Sequence, residues 1–155
     1  MALILRPATA GECSELSDLA LRSKGHWGYE QAFLDASRVE LTVTTAALAS
    51  DVITVAETDG HTVGFYGLKG GPPEADLTFL FVEPAFIGTG IGRALWEHRV
   101  EEAADLRVSR IRIESDPFAE SFYLRVGAKR IGETASGSVT GRSLPLLAFQ
   151  VDPGT

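Results

Sequence analysis

Cysteine is nearly absent: Cys13 is the only one among 155 residues, so no internal disulfide can form. One thiol with three histidines (His26, His61, His98) is also too little soft-ligand chemistry for a zinc site, and no metal is expected. Cys13 stands beside Leu16 and Leu19 and reads as a packed or half-buried thiol. No apolar run reaches the roughly 18–20 residues that span a bilayer. The segment Met1-Ala-Leu-Ile-Leu-Arg-Pro7 lacks a basic leader, and its apolar run is too short for a signal peptide. These absences lead to the expectation of a cytoplasmic protein without membrane contact. Positive charge is also in short supply, with 14 basic residues against 21 acidic ones and a net charge of −7. Such a balance repels nucleic acid at long range, yet leaves enough cations for a local pocket around one anionic ligand.

Apolar residues are not lacking: 45% of the chain is hydrophobic and 23% charged, which suits one globular domain over residues 1–155 with a loose tail at 152–155. Leu3 to Ala8 reads as a strand, and Ala10 to Ser23 as a helix ended by Gly25-His-Trp-Gly28. A second helix is expected from Tyr29 to about Val43, with Phe33 and Leu34 as anchors, then a short helical turn at Leu48–Ser50. Val52–Thr58 and His61–Leu68 flank Asp59-Gly60, a two-residue hairpin signal. Asp76–Val82 is almost continuously apolar, as a strand covered on both faces would be. Helix, strand, short helix and two closing strands follow at about Gly92–Leu106, Ser109–Ser115, Ala119–Val126, Ala128–Thr134 and Leu144–Val151. The order implies one α/β domain with a mixed sheet.

The densest signal is Phe79-Leu-Phe-Val-Glu-Pro-Ala-Phe-Ile-Gly-Thr-Gly-Ile-Gly-Arg93. A strand, a glycine loop and a helix in that order present bare N–H groups at a helix N-terminus, which is an anion site. A nucleotide P-loop needs a Gly-Lys-Ser/Thr ending that is missing here. A dinucleotide fingerprint would need Gly where Arg93 stands. The spacing Gly88-x-Gly90-x-Gly92 after Val-Glu-Pro best suits a coenzyme A diphosphate loop.

The chain resembles the GNAT superfamily of N-acetyltransferases. The resemblance rests on Ile87-Gly-Thr-Gly-Ile-Gly92 and on Asp116-Pro-Phe-Ala119-Glu-Ser-Phe-Tyr123-Leu-Arg-Val-Gly127-Ala128, with the element order along most of the chain. It departs from the family at Ile87, where Gln or Arg is usual, and at Asp116, where Asn is usual. It implies a mixed, mostly antiparallel sheet of about seven strands flanked by helices. It also implies acetyl-CoA as co-substrate, CoA as product and a primary amine, small in size, as acceptor. Homodimers are common in the family, so a homodimer is an expectation of the same kind.

Anchoring of the diphosphate falls to the amides of Gly88, Thr89, Gly90, Ile91, Gly92, Arg93 and Ala94, and the resemblance adds Ile87 as a cofactor-site position without the usual polar side chain. Arg93 is either an added cation or a solvated first-turn residue. The pantetheine arm is implied to pair with Leu80, Phe81 and Val82, where a freed N–H polarises the thioester oxygen. Asp116 and Ala119 are implied cofactor contacts, and Tyr123 is the implied general acid as well as a cofactor contact. Asp76 is the first choice for general base; Glu74, Glu83, His26 and Tyr29 are the alternatives. His26, Trp27 and Tyr29 form an amphipathic loop suited to an acceptor, with a core-packing Trp27 as an equal alternative; Ser136, Ser138 and Arg142 of the last hairpin read first as a plain loop and second as the opposite rim. His61 and His98 read as hairpin and helix-surface residues. The departures at Ile87 and Asp116 keep a second reading open, an acyl-CoA-binding or regulatory module of the same fold without turnover.

Overall fold

The computed structural model describes residues 2–136 and 141–151. Its strands are β1 (Leu3–Pro7), β2 (Val52–Thr58), β3 (His61–Gly71), β4 (Glu74–Val82), β5 (Arg110–Glu114), β6 (Lys129–Ala135) and β7 (Ser143–Gln150). Its helices are α1 (Cys13–Gly25), α2 (Gln31–Ser37), α3 (Thr45–Ser50), α4 (Ile91–Asp105) and α5 (Glu120–Arg125). The strands form one seven-stranded sheet in the order β1-β2-β3-β4-β5-β7-β6. Every pairing is antiparallel except that of β4 with β5. The mixed, mostly antiparallel sheet implied by the sequence is therefore present. No helix among the described residues is long and apolar enough to cross a membrane.

Two apolar layers sandwich the sheet. On one face α1 presents Leu16, Leu19, Ala20 and Ser23, one stripe at helical spacing, to Val55, Phe65 and Phe79. On the other, α4 buries Ile91, Leu95, Trp96 and Ala103 against Val63, Tyr66, Ile111 and Leu147. Glu12 fastens the entrance to α1: it accepts from the Thr9 amide at 2.8 Å and receives both Arg6 Nη atoms at 2.8 Å. That reciprocal box satisfies donors that a helix start leaves open.

Three details differ from the sequence expectations. The first helix continues through Gly25, and the chain turns at Gly28, whose φ is +85°. The second helix covers only Gln31–Ser37, because beyond Ser37 only Leu41 and Val43 are buried and the intervening exposed residues give no apolar stripe. His98 is not a plain surface residue, since its Nδ1 lies 2.9 Å from the Tyr66 hydroxyl. Ser138 and the 152–155 tail lie outside the described residues.

Candidate active site

The site is built around an interruption in the sheet. β4 and β5 pair over Glu74–Leu77 and Arg110–Ile113 only, whereas β3 follows β4 up to Val82. Thr78 is the extra residue of a bulge opposite the Gly67/Leu68 step. The bulge shifts the alternation of β4: Ala75 and Leu77 face the α4 layer, and after the extra residue Leu80 and Val82 do so. A Cβ on Gly67 would lie 2.5 Å from Thr78 Oγ1 and 2.8 Å from the Phe79 ring, so only glycine lets the bulged strand approach this closely.

Beyond Leu77, β4 has one open edge. The Glu83 amide donates to Val63 O at 2.8 Å, which turns the main chain of Glu83, Phe81 and Phe79 toward β3. The same alternation turns the N–H and C=O groups of Leu80 and Val82 into the gap on the β5 side. Of the strand residues expected to meet the cofactor, Leu80 and Val82 thus offer main-chain groups, while Phe81 uses its own on β3.

The glycine loop lies at the end of this edge. Gly88 and Gly90 have φ of +85° and +93°, and Gly90 immediately precedes α4. A side chain at Gly90 would be strained by that φ, and its missing Cβ leaves the approach to the helix end open. The Ile87, Thr89 and Ala94 amides bond to Pro84 O, Phe86 O and Gly90 O at 3.3, 3.2 and 3.0 Å. Those of Gly88, Gly90, Ile91, Gly92 and Arg93 have no backbone acceptor among the described residues. Five N–H groups at the N-terminus of a 15-residue helix fit a diphosphate by donor chemistry and by helix dipole. The Arg93 side chain, 67% exposed, pairs with Glu97 at 3.3 Å.

Tyr123 lies in the α4-side layer, 6% exposed, with its ring edge-on to Trp96 at 5.7 Å. Burial pushes its phenol well above the ordinary value, so it keeps its proton at neutral pH. The Ala119 carbonyl accepts from the Phe122 and Tyr123 amides at 3.1 and 3.3 Å, which starts the helix that carries the tyrosine. Nearby Arg99 is fully buried, with its guanidinium 3.4 Å from the centre of the Trp96 ring. Its Nε and Nη1 have no partner among the described residues, and burial lowers its pKa to about 9.

Asp76 is not brought to the open edge. It lies in the paired stretch, 3.6 Å from Arg112, and four residues before Leu80, roughly 13 Å of strand. Glu83, one of the alternatives, is held by Arg22 at 2.7 and 3.0 Å. Asp116 is the centre of a cluster instead. Its carboxylate caps the turn into α5 by accepting from the Phe118 amide at 2.9 Å. It also accepts from the Tyr29 hydroxyl at 2.9 and 3.0 Å and from Lys24 Nζ at 3.3 Å, with Arg142 Nη2 at 3.7 Å. Arg142 donates to the Tyr29 hydroxyl at 2.8 Å. Burial, followed by the hydrogen bond to Asp116, pushes the Tyr29 phenol up to about 12. Trp27 stacks on Phe118 with ring centres 5.6 Å apart, and His26 packs edge-on to Trp27. Sequence reasoning singled out Tyr29 for the acceptor, read Arg142 first as part of a plain hairpin loop, and missed Lys24 and Phe118. Only their contacts across the fold reveal them.

The interrupted parallel strand pair thus stands beside a glycine loop whose unpaired amides suit a diphosphate. The family model described as an acetyltransferase (GNAT) domain matches residues 25–138. The 5-NmdU N-acetyltransferase of Pseudomonas phage PaMx11 is 30% identical over 137 residues, covering 87% of this chain and 93% of the phage protein. Among solved structures, a GCN5-related N-acetyltransferase from Rhodopseudomonas palustris superposes with a TM-score of 0.80 at 19% identity, covering 97% of this chain and 96% of its own. The PaiA N-acetyltransferase from Thermoplasma acidophilum, in complex with coenzyme A, gives 0.77 at 17% identity, covering 97% and 99%. The chain belongs to the GNAT acetyltransferase family and is an acetyl-transferring enzyme. Acetyl-CoA is its co-substrate, in keeping with the coenzyme A held by the T. acidophilum neighbour and with the free amides described above.

Proposed function

We propose that the enzyme acetylates a primary amine of a small molecule by direct attack within a ternary complex. The observation that carries this reading is the open edge of β4, where the Leu80 and Val82 main-chain groups face a gap beside the glycine loop. When bound, acetyl-CoA supplies the acetyl group as a thioester. The free amides from Gly88 to Arg93 hold the diphosphate, and the outward groups of Leu80 and Val82 align the rest of the molecule as an added strand would. The Leu80 amide is the donor available to a carbonyl oxygen in the gap. Tyr123, a phenol protonated at neutral pH, releases its proton to the departing sulfur. The amine's proton leaves to water, since Asp76 lies in the paired stretch beside Arg112 and away from the open edge. Holding the amine and the acyl carbon together contributes about 7–11 kcal/mol of the barrier reduction.

The acceptor enters from the α1 face, where Tyr29 and the His26–Trp27 loop meet the wall formed by Asp116 and Phe118. The phage relative's name specifies 5-NmdU as its acceptor, which supports an amine-bearing small molecule here. We also read the enzyme as cytoplasmic, on the strength of its single cysteine and its co-substrate. The test is thermal melting with acetyl-CoA, CoA, ATP and NAD added separately, followed by thiol release over a panel of amines. Stabilisation by acetyl-CoA and CoA together with amine-dependent thiol release is expected. A shift with ATP or NAD alone contradicts the reading.

A further inference from the structure

The Asp116 cluster carries more positive charge than its own geometry needs. Two cations, Lys24 and Arg142, share one carboxylate, so the cluster holds 2 − 1 = +1. This stands out in a chain of net charge −7. Both cations are largely shielded, with side chains 15% and 18% exposed. Both also lie against aromatic faces. The Arg142 guanidinium is 4.6 Å from the centre of the Phe33 ring, and Lys24 Nζ is 5.5 Å from the same ring and 5.6 Å from that of Tyr29. Ring faces stabilise a cation but do not neutralise it, and partial desolvation strengthens its pull on an incoming anion.

The cluster lies just past the point where β4 and β5 part. Leu77 and Ile113 are the last paired residues of β4 and β5, and Leu80 and Asp116 each lie three residues further along the two diverging arms. Arg112, Glu114 and Asp116 alternate with the buried Ile113 and Ser115, so Asp116 points to the α1 face, where Lys24 and Tyr29 meet it. The diphosphate amides belong to the loop after the other arm, β4. The surplus charge is therefore on the acceptor side of the gap.

We infer that Lys24 and Arg142 form an anion subsite for the acceptor, so that the preferred substrate is an amine whose own molecule bears a carboxylate or phosphate. The inference rests on the acetyl-transfer reading above and names the substrate class for that site. Tyr29 holds Arg142 in place through its hydroxyl, and the ring of Phe33 backs both cations. Arg142 reaches Tyr29 and Asp116 through Nη2, and among the described residues its Nε–H and two Nη1 N–H groups, three donors, have no hydrogen-bond partner and can grip an anion.

The experiment compares amines that differ only in charge: phenylalanine with phenylalaninamide, 4-aminobutanoate with 4-aminobutanamide, and 2-aminoethyl phosphate with ethanolamine. Thiol release and binding to the CoA-loaded protein are both measured. At least one acid-bearing amine should exceed its neutral counterpart by about 10–100-fold in kcat/KM or in affinity, as for a charge-assisted contact. Which pair responds distinguishes carboxylate from phosphate. Arg142→Gln should remove that preference through KM, Arg142→Lys should keep much of it, and both should retain the melting shift given by acetyl-CoA. A normal acetyl-CoA shift with no acid preference in turnover or binding overturns the inference and leaves the acetyl-transfer reading standing. Loss of the acetyl-CoA shift in Arg142→Gln, with acceptor preference unchanged, also overturns it by assigning the cations to the co-substrate. No acetyl-CoA shift in the unaltered protein defeats the acetyl-transfer reading itself.

Discussion

The Tyr29 hydroxyl donates to the Asp116 carboxylate at 2.9 Å, joining the loop after α1 to the end of β5 across 87 residues of sequence. The bond ties these two segments together and aligns Arg142, which donates to the same hydroxyl. Tyr29→Phe keeps the ring and removes this link. The expected result is a loss of about 1–2 kcal/mol in unfolding free energy, the scale of a hydrogen bond to a charged group at a partly exposed site. Acetyl-CoA affinity should be unchanged. Denaturant melts and a titration with acetyl-CoA check both parts.

Gly67 and Thr78 define the second prediction. Gly67→Ala puts a methyl group 2.5 Å from Thr78 Oγ1, so either the bulge or β3 must shift. A loss of about 1–3 kcal/mol is expected from overpacking. A disproportionate fall in turnover is expected too, because the bulge sets the phase that turns Leu80 into the gap. Thermal melts and thiol-release rates measured on the same preparation separate the two effects.

Tyr123→Phe tests proton delivery. The ring stays in the buried layer beside Trp96 and the structure should hold. Turnover should fall about 10²–10⁴-fold if the phenol protonates the sulfur. Rates near those of the unaltered enzyme would give that task to water or another group.

The glycine loop was legible in the sequence because its chemistry is local: strand, positive-φ glycines and helix start occupy adjacent positions. The Asp59-Gly60 hairpin was legible for the same reason, and both residues do have positive φ, +51° and +77°. The bulge at Thr78 was hidden because Phe79-Leu-Phe-Val is apolar throughout, so a change of phase leaves no trace in the pattern. The Asp116 cluster was hidden because Lys24, Tyr29, Asp116 and Arg142 meet only when the end of α1 with its following loop, the segment after β5 and the residue just before β7 converge. His98 looked like a surface residue from helix position alone, and its contact with Tyr66 depends on how α4 sits against β3.

Acid stability provides a prediction remote from the site. Hydrogen bonding to Arg6 lowers the Glu12 carboxyl from 4.5 to about 2, and the Thr9 bonds add to the effect against the opposing effect of burial. A carboxyl with a depressed native pKa stabilises the fold above its unfolded pKa and loses that contribution as pH falls through its folded one. The contribution should therefore be complete above about pH 5 and disappear between there and pH 2. Glu12→Gln should be less stable than the unaltered protein at pH 7, and the difference should close in that interval. Melting temperatures across the pH series check this.

The central claim is that free main-chain amides hold the diphosphate while the open edge of β4 receives the acyl arm. A crystal structure of the acetyl-CoA complex tests it most directly. The account predicts diphosphate oxygens within hydrogen-bond distance of amides between Gly88 and Arg93, with the acetyl oxygen at the Leu80 amide. A diphosphate bound elsewhere, with the β4 edge left unpaired, would contradict it.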